Sequence, residues 1–176
     1  MRINVRLFTI VVGCGPLLAC SREQVAEQQP DTPIGRPGLR FDPATTAKGT
    51  AIGVLTVDSI DAQRAIDSSY VGTARFSGEI ELSGETLRNF DSDLRDRLTC
   101  FEADSSTSAR LPRWSGDERR PWFCFTNNDD AARALGPPSD GVRATIVIDR
   151  FTIHRNLSDA VNSARFRRLS AGGVPR

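Results

Sequence analysis

Over residues 71–83 apolar and polar positions alternate. Ala74, Phe76, Ile80 and Leu82 fall on one face, while Thr73, Arg75, Ser77, Glu79, Glu81 and Ser83 fall on the other. A period of two predicts a half-buried β-strand. Gly78 stands on its apolar face, where a glycine predicts a sharp bend or a barrel corner. Residues 51–60 are rich in β-branched side chains and predict an extended segment able to pair with that strand. Two further strands are expected at residues 97–103 and 121–127, each with a cysteine and aromatic residues. In the second, Phe123 and Phe125 alternate with Trp122 and Cys124, so one pair is expected to fill the core. The polar, arginine-rich stretch 104–120 between them reads as a loop.

Residues 127–136 then predict a helix of about two turns, with Asn128 as N-cap, Asp129 and Asp130 at the positive helix start, and Gly136 with Pro137 and Pro138 as its end. In residues 142–154, Ile146 and Ile148 share one phase and Phe151 and Ile153 the other. A slip of one residue near Asp149 and Arg150 predicts a β-bulge. Residues 164–169 are expected to form a final edge strand whose arginines discourage edge-to-edge pairing. The order is strand, bent strand, two strands, short helix, long strand, short strand. It resembles the OB fold, a small Greek-key barrel with a helix between its third and fourth strands. The expected class is therefore mainly β, a small OB-like barrel or a sandwich with one short helix.

The first residues follow a different logic. Arg2 and Arg6 precede an apolar stretch over residues 7–19, shorter than the roughly 20 residues of a spanning helix, which predicts a cleaved secretory signal. Leu17-Leu18-Ala19-Cys20 resembles the lipobox of bacterial lipoproteins. The resemblance implies cleavage before Cys20, diacylglycerol on its thiol, and, with Ser21 where a retention aspartate would stand, an outer-membrane location facing the periplasm. More than one acyl chain gives stable anchoring. The expected organisation is a signal peptide over residues 1–19, a lipidated, disordered linker over 20–49 broken by Pro30, Pro33, Pro37 and Pro43, and one β-rich domain over 50–176. A flexible linker of that length spans on the order of 30 Å.

Of 23 basic residues, Arg2 and Arg6 leave with the signal, so 21 face 22 acidic residues in the mature chain. That near-neutral balance lacks the electrostatic footprint of a nucleic-acid binder, and no nucleic-acid partner is expected. Cys14 leaves with the signal and Cys20 takes lipid. Cys100 and Cys124 remain as an even pair in an oxidising compartment, which predicts a disulfide if their strands are antiparallel neighbours. His154 is the single histidine; neither a metal site nor a cofactor is expected.

No nucleophile motif is present. Asp149, His154 and Ser158 would need the fold to gather them. Asp91 and Asp93 lack the glycine and terminal glutamate of a calcium loop. Arginine and aromatic residues, by contrast, favour binding. Trp114, Trp122, Arg113, Arg119 and Arg120 around the 104–120 stretch are the candidate binding residues. The functional expectation is a non-enzymatic envelope lipoprotein that binds a protein or envelope component, with an inhibitor or immunity protein as one special case. The alternative is an envelope enzyme that acts on glycan or lipid through paired carboxylates such as Glu79 and Glu81.

Overall fold

The computed structural model describes residues 38–65, 69–88, 98–137, 141–156 and 161–170. The chain opens with β1 (Leu39–Phe41), then a two-residue β2 (Ala51–Ile52) that turns through Gly53 into β3 (Leu55–Arg64). β3 pairs antiparallel with β4 (Tyr70–Ser77), as the β-branched pattern predicts. The alternating stretch 71–83 is two strands rather than one: β4 ends at Ser77, and β5 (Ile80–Arg88) begins beyond Gly78. Gly78 takes φ +107°, and a Cβ there would stand 2.9 Å from the Val54 carbonyl oxygen. The bend expected at this glycine is where the two strands part. Ala74, Phe76, Ile80 and Leu82 are all buried, so the inward face carries through the bend.

Five strands close into a barrel. β5 pairs antiparallel with β6 (Thr99–Ala103), and β6 antiparallel with β8 (Trp122–Phe125). β8 runs parallel to β10 (Asn162–Leu169), β10 antiparallel to β9 (Arg143–Arg155), and β9 antiparallel to β5. The helix α2 (Asn128–Leu135) joins β8 to β9, the third and fourth strands of the ring. This is the OB-like Greek-key order expected from the sequence. β10 is not the edge strand that residues 164–169 suggested, because it hydrogen-bonds on both sides and completes the ring. Its arginines form ion pairs instead, Arg165 with Asp149 and Arg168 with Glu79.

The bulge falls where the phase slips. Ser163 faces Thr152 and Arg165 faces Asp149, so β9 inserts one extra residue, and Arg150 takes φ +49°. Ile146 and Ile148 before it, and Phe151 and Ile153 after it, can therefore all point inward. Phe123 meets Phe151 edge-on, with ring centroids 6.0 Å apart, in the centre of the barrel. Phe123 and Phe125 are thus the pair that fills the core. α2 buries Ala131 and Leu135, four apart on its inner face, and its N-cap position is Asn127, one residue before the expected Asn128.

Two stretches are more ordered than their composition suggests. Residues 104–120 are not only a loop. They contain a second short helix, α1 (Ser105–Ser108), capped by Asp104, and a strand, β7 (Pro112–Trp114). β7 runs parallel to β1, with Trp114 beside Phe41. The linker expected over 20–49 accordingly ends sooner: Leu39–Phe41 is a strand, Phe41 is buried, and its ring lies 5.6 Å from that of Phe76. Residues 1–37, including Cys20 and the lipobox-like residues before it, lie outside the described residues.

Candidate binding cleft

Cys100 and Cys124 stand directly opposite each other on β6 and β8 and are bonded, as the antiparallel placement predicts. Both are buried although they alternate with the inward phenylalanines. Two residues along the same ladder, Glu102 faces Trp122. Across the next strand Glu102 faces Glu85, and beyond it Glu85 faces Arg143. One register row thus runs over four strands as Trp122, Glu102, Glu85, Arg143. Like charges directly opposite on a sheet repel, and the flanking cations offset the Glu85–Glu102 contact.

Glu102, Glu85 and Arg143 of this row, but not Trp122, line a cleft of about 510 Å³. Gly84 and Ala103, paired across β5 and β6, line it as well, and a Cβ on Gly84 would lie 2.0 Å from the Glu102 carbonyl oxygen. The start of α1 forms one wall, and Arg113, Arg120 and Pro121 form another. The wall holds its place through Thr107, whose hydroxyl donates to the Ser83 carbonyl at 2.8 Å. Asp104 accepts from the Ser106 hydroxyl at 2.7 Å and from the Thr107 N–H at 3.0 Å. Burial alone would raise its carboxyl, but these bonds, with the nearby Arg143, outweigh burial and hold it below the usual carboxylate range.

The structure sorts the five sequence candidates into different roles. Arg120, mostly exposed, forks onto Glu102: its Nε donates to Oε1 at 2.7 Å and its Nη2 to Oε2. Trp122 is half-buried at the end of the row. Arg113 lines the cleft but is itself buried, and its guanidinium donates to the Arg119 carbonyl. Trp114 is not a surface residue at all. It is 0% exposed, packs edge-on against Tyr70 with centroids 6.4 Å apart, and belongs to the core.

Arg119 is a structural clamp. It pairs in a fork with buried Asp117, Nε to Oδ1 at 2.9 Å and Nη2 to Oδ2 at 2.8 Å, and donates through Nη1 to the His154 carbonyl at 2.8 Å. Trp114, Arg113 and Arg119 therefore do not form one exposed surface, because β7 buries Trp114 and Arg113 while Asp117 and the His154 carbonyl hold the partly exposed Arg119.

Asp149 and His154 do not converge. Asp149 accepts a fork from Arg165 at 2.8 and 2.6 Å. His154 Nε2 lies 3.1 Å from the Ser163 hydroxyl, and burial, followed by Arg75 and Arg119, lowers its pKa. Ser158, Asp91 and Asp93 lie outside the described residues. Glu79 pairs with Arg167 and Arg168 at the Gly78 bend, and Glu81 accepts from Ser170.

Glu85, Glu102, Asp104 and Arg143 were not singled out from the sequence. Their only local signal is the polar phase of their strands, and strand register is what gathers them. No family model matches the chain, and no curated protein or solved structure matches it either.

Proposed function

We propose that this chain is a lipid-anchored envelope protein, linked to the outer membrane through Cys20 and facing the periplasm, whose OB-like barrel binds a ligand or protein partner in the cleft over β5 and β6. Three features support the reading. The lipobox-like Leu17-Leu18-Ala19-Cys20 supports the anchor. The Cys100–Cys124 bond suits an oxidising compartment. The cleft carries the binding reading, because its charged side chains stand on paired strands and a capped helix turn, and rigid elements position a site better than loops do.

One observation favours an enzyme: Glu85 and Glu102 are opposed carboxylates in a cleft, as a hydrolase of glycan or lipid would need. Such an enzyme requires one of the pair to be a protonated acid. Both oxygens of Glu102 already accept from Arg120, and Asp104 is held ionised by its capping bonds. Binding therefore fits this arrangement better than proton transfer does. An envelope hydrolase as the bound partner would make the protein an inhibitor.

A photo-activated cross-linking residue at Ser105, on the cleft wall, tests the proposal in cells that make the lipidated chain. The expected result is an adduct with an envelope component, absent when the same residue replaces exposed Thr56 and lost with Arg143→Glu. Identical adducts from both positions would overturn the assignment of the cleft.

A further inference from the structure

Within the cleft most charges are already answered. Arg120 is forked onto Glu102, Arg113 donates to the Arg119 carbonyl, and Asp104 caps α1. Glu85 and Arg143 are the exception. They face each other in the β5–β9 register, and among the described residues neither side chain makes a hydrogen bond or a close ion pair; Arg143 attracts Asp104, and Glu85 attracts Arg120, at longer range. Side chains directly opposed on antiparallel strands have Cβ atoms about 5 Å apart, so a carboxylate and a guanidinium without direct hydrogen-bond partners stand side by side in the cleft lining.

Taking the cleft as the binding site proposed above, we infer that it receives a zwitterionic amino-acid group: a ligand ammonium on Glu85 and a ligand carboxylate on Arg143. The charge pattern argues against simpler ligands. A lone anion would meet Glu85, Glu102 and Asp104, and a lone cation would meet Arg113, Arg120 and Arg143. A neutral sugar would strip water from both groups and supply neither with a charge-assisted partner. An ammonium and a carboxylate on one molecule answer both with charge-assisted bonds, of which the Arg–carboxylate pair can be bidentate. A volume of about 510 Å³ leaves room for a residue or two of attached peptide.

Such a group could come from soluble amino acids and peptides or from the peptide strands of the cell wall. The test uses the folded mature chain. Alanine and alanyl-alanine are titrated by NMR alongside the N-acetylated and C-amidated dipeptides, and the chain is sedimented with insoluble wall sacculi. The expected result is binding of an unblocked probe at millimolar concentration, retention on sacculi, or both. The first assigns a soluble source and the second a wall source.

Blocking either end, or introducing Glu85→Gln or Arg143→Gln, should weaken that binding by about tenfold or more. Both substitutions lie on the solvent side of the barrel, and an unchanged melting temperature shows that the variants fold. The blocked probes test the same point on the unaltered chain. Equal binding of blocked and unblocked probes would overturn the inference, as would no binding of any probe together with no retention on sacculi. If the Ser105 cross-link survives that failure, the cleft is a binding site for another chemistry; if it also fails, the cleft reading falls with it.

Discussion

Asn127 offers both halves of its side-chain amide to the backbone of Phe166, 39 residues away. Its Oδ1 accepts from the Phe166 N–H at 2.8 Å, and its Nδ2 donates to the Phe166 carbonyl at 2.9 Å. The parallel pairing of β8 with β10 ends at Phe125 and Ala164, and the Thr126 N–H adds one more bond to the Ala164 carbonyl. The Asn127 side chain then continues the ladder for one further step while its backbone starts α2. It is the joint at which the last strand locks onto the third and the ring closes.

Replacing Asn127 with alanine should therefore cost about 2 kcal/mol, from the two lost bonds to Phe166 at about 1 kcal/mol each, the third, to Asp130, being exposed to solvent. Asn127→Asp keeps the acceptor but not the donor and should fall between alanine and the parent. Urea denaturation of the three proteins checks this. An alanine variant as stable as the parent would remove Asn127 from barrel closure.

The Cys100–Cys124 bond closes a 24-residue separation that includes α1 and β7. In the chain-entropy account, removing such a cross-link costs about 3.5 kcal/mol. Cys100→Ala with Cys124→Ala should lower the urea midpoint accordingly, and a reducing agent should do the same to the parent. The double variant should be insensitive to that agent.

Trp114 and Trp122 are the two tryptophans of the chain, and the fold gives them opposite surroundings. With Trp122→Phe, the remaining Trp114 should emit at short wavelength and resist iodide quenching. Trp114→Phe should leave a more quenchable Trp122. Trp114→Ala should cost about 3 to 5 kcal/mol, as a large buried aromatic does. Equal quenching of the two single-tryptophan proteins would contradict the burial of β7.

Stability should decline in two stages as pH falls. Burial, then Arg75 and Arg119, depress the His154 pKa below its ordinary 6.5. The unfolded chain thus takes up that proton first, and stability drops as pH falls through about 6.5. The second decline comes below about pH 4, where carboxylates with depressed folded pKa values must be protonated. Asp149 is one, held down by the Arg165 fork. Asp117 is another: burial opposes ionisation there, but the bonds and charge of Arg119 outweigh it. His154→Gln should abolish the first stage and keep the second. Superimposable curves for parent and variant between pH 7 and 5 would contradict the assignment.

Much of the barrel was legible because its features have local causes. Gly78 announced the bend by interrupting an apolar face, and the phase change between Ile148 and Phe151 announced the bulge. The cysteine ladder followed from two strands with matching composition. The 104–120 stretch was not legible, because β7 is three residues long, too short for a period to show, and its arginines read as solvent-exposed. Arg113 and Arg119 are instead drawn inward by the Arg119 carbonyl and by Asp117, partners supplied by the tertiary fold. β1 was hidden for the same reason, its Leu39 and Phe41 lying in a proline-broken tract. The pairing of Glu85 with Arg143 has no sequence signal at all, since 58 residues separate them and only the β5–β9 register makes them neighbours.

In the proposed reading the anchor decides the compartment, and the compartment decides what the cleft can meet. The most direct measurement is the mass of the N-terminal peptide from protein extracted from native membranes. The account predicts a peptide that starts at Cys20 and carries the added mass of acyl chains on that residue. A peptide that starts at Met1, or one with an unmodified Cys20 sulfur, would contradict it.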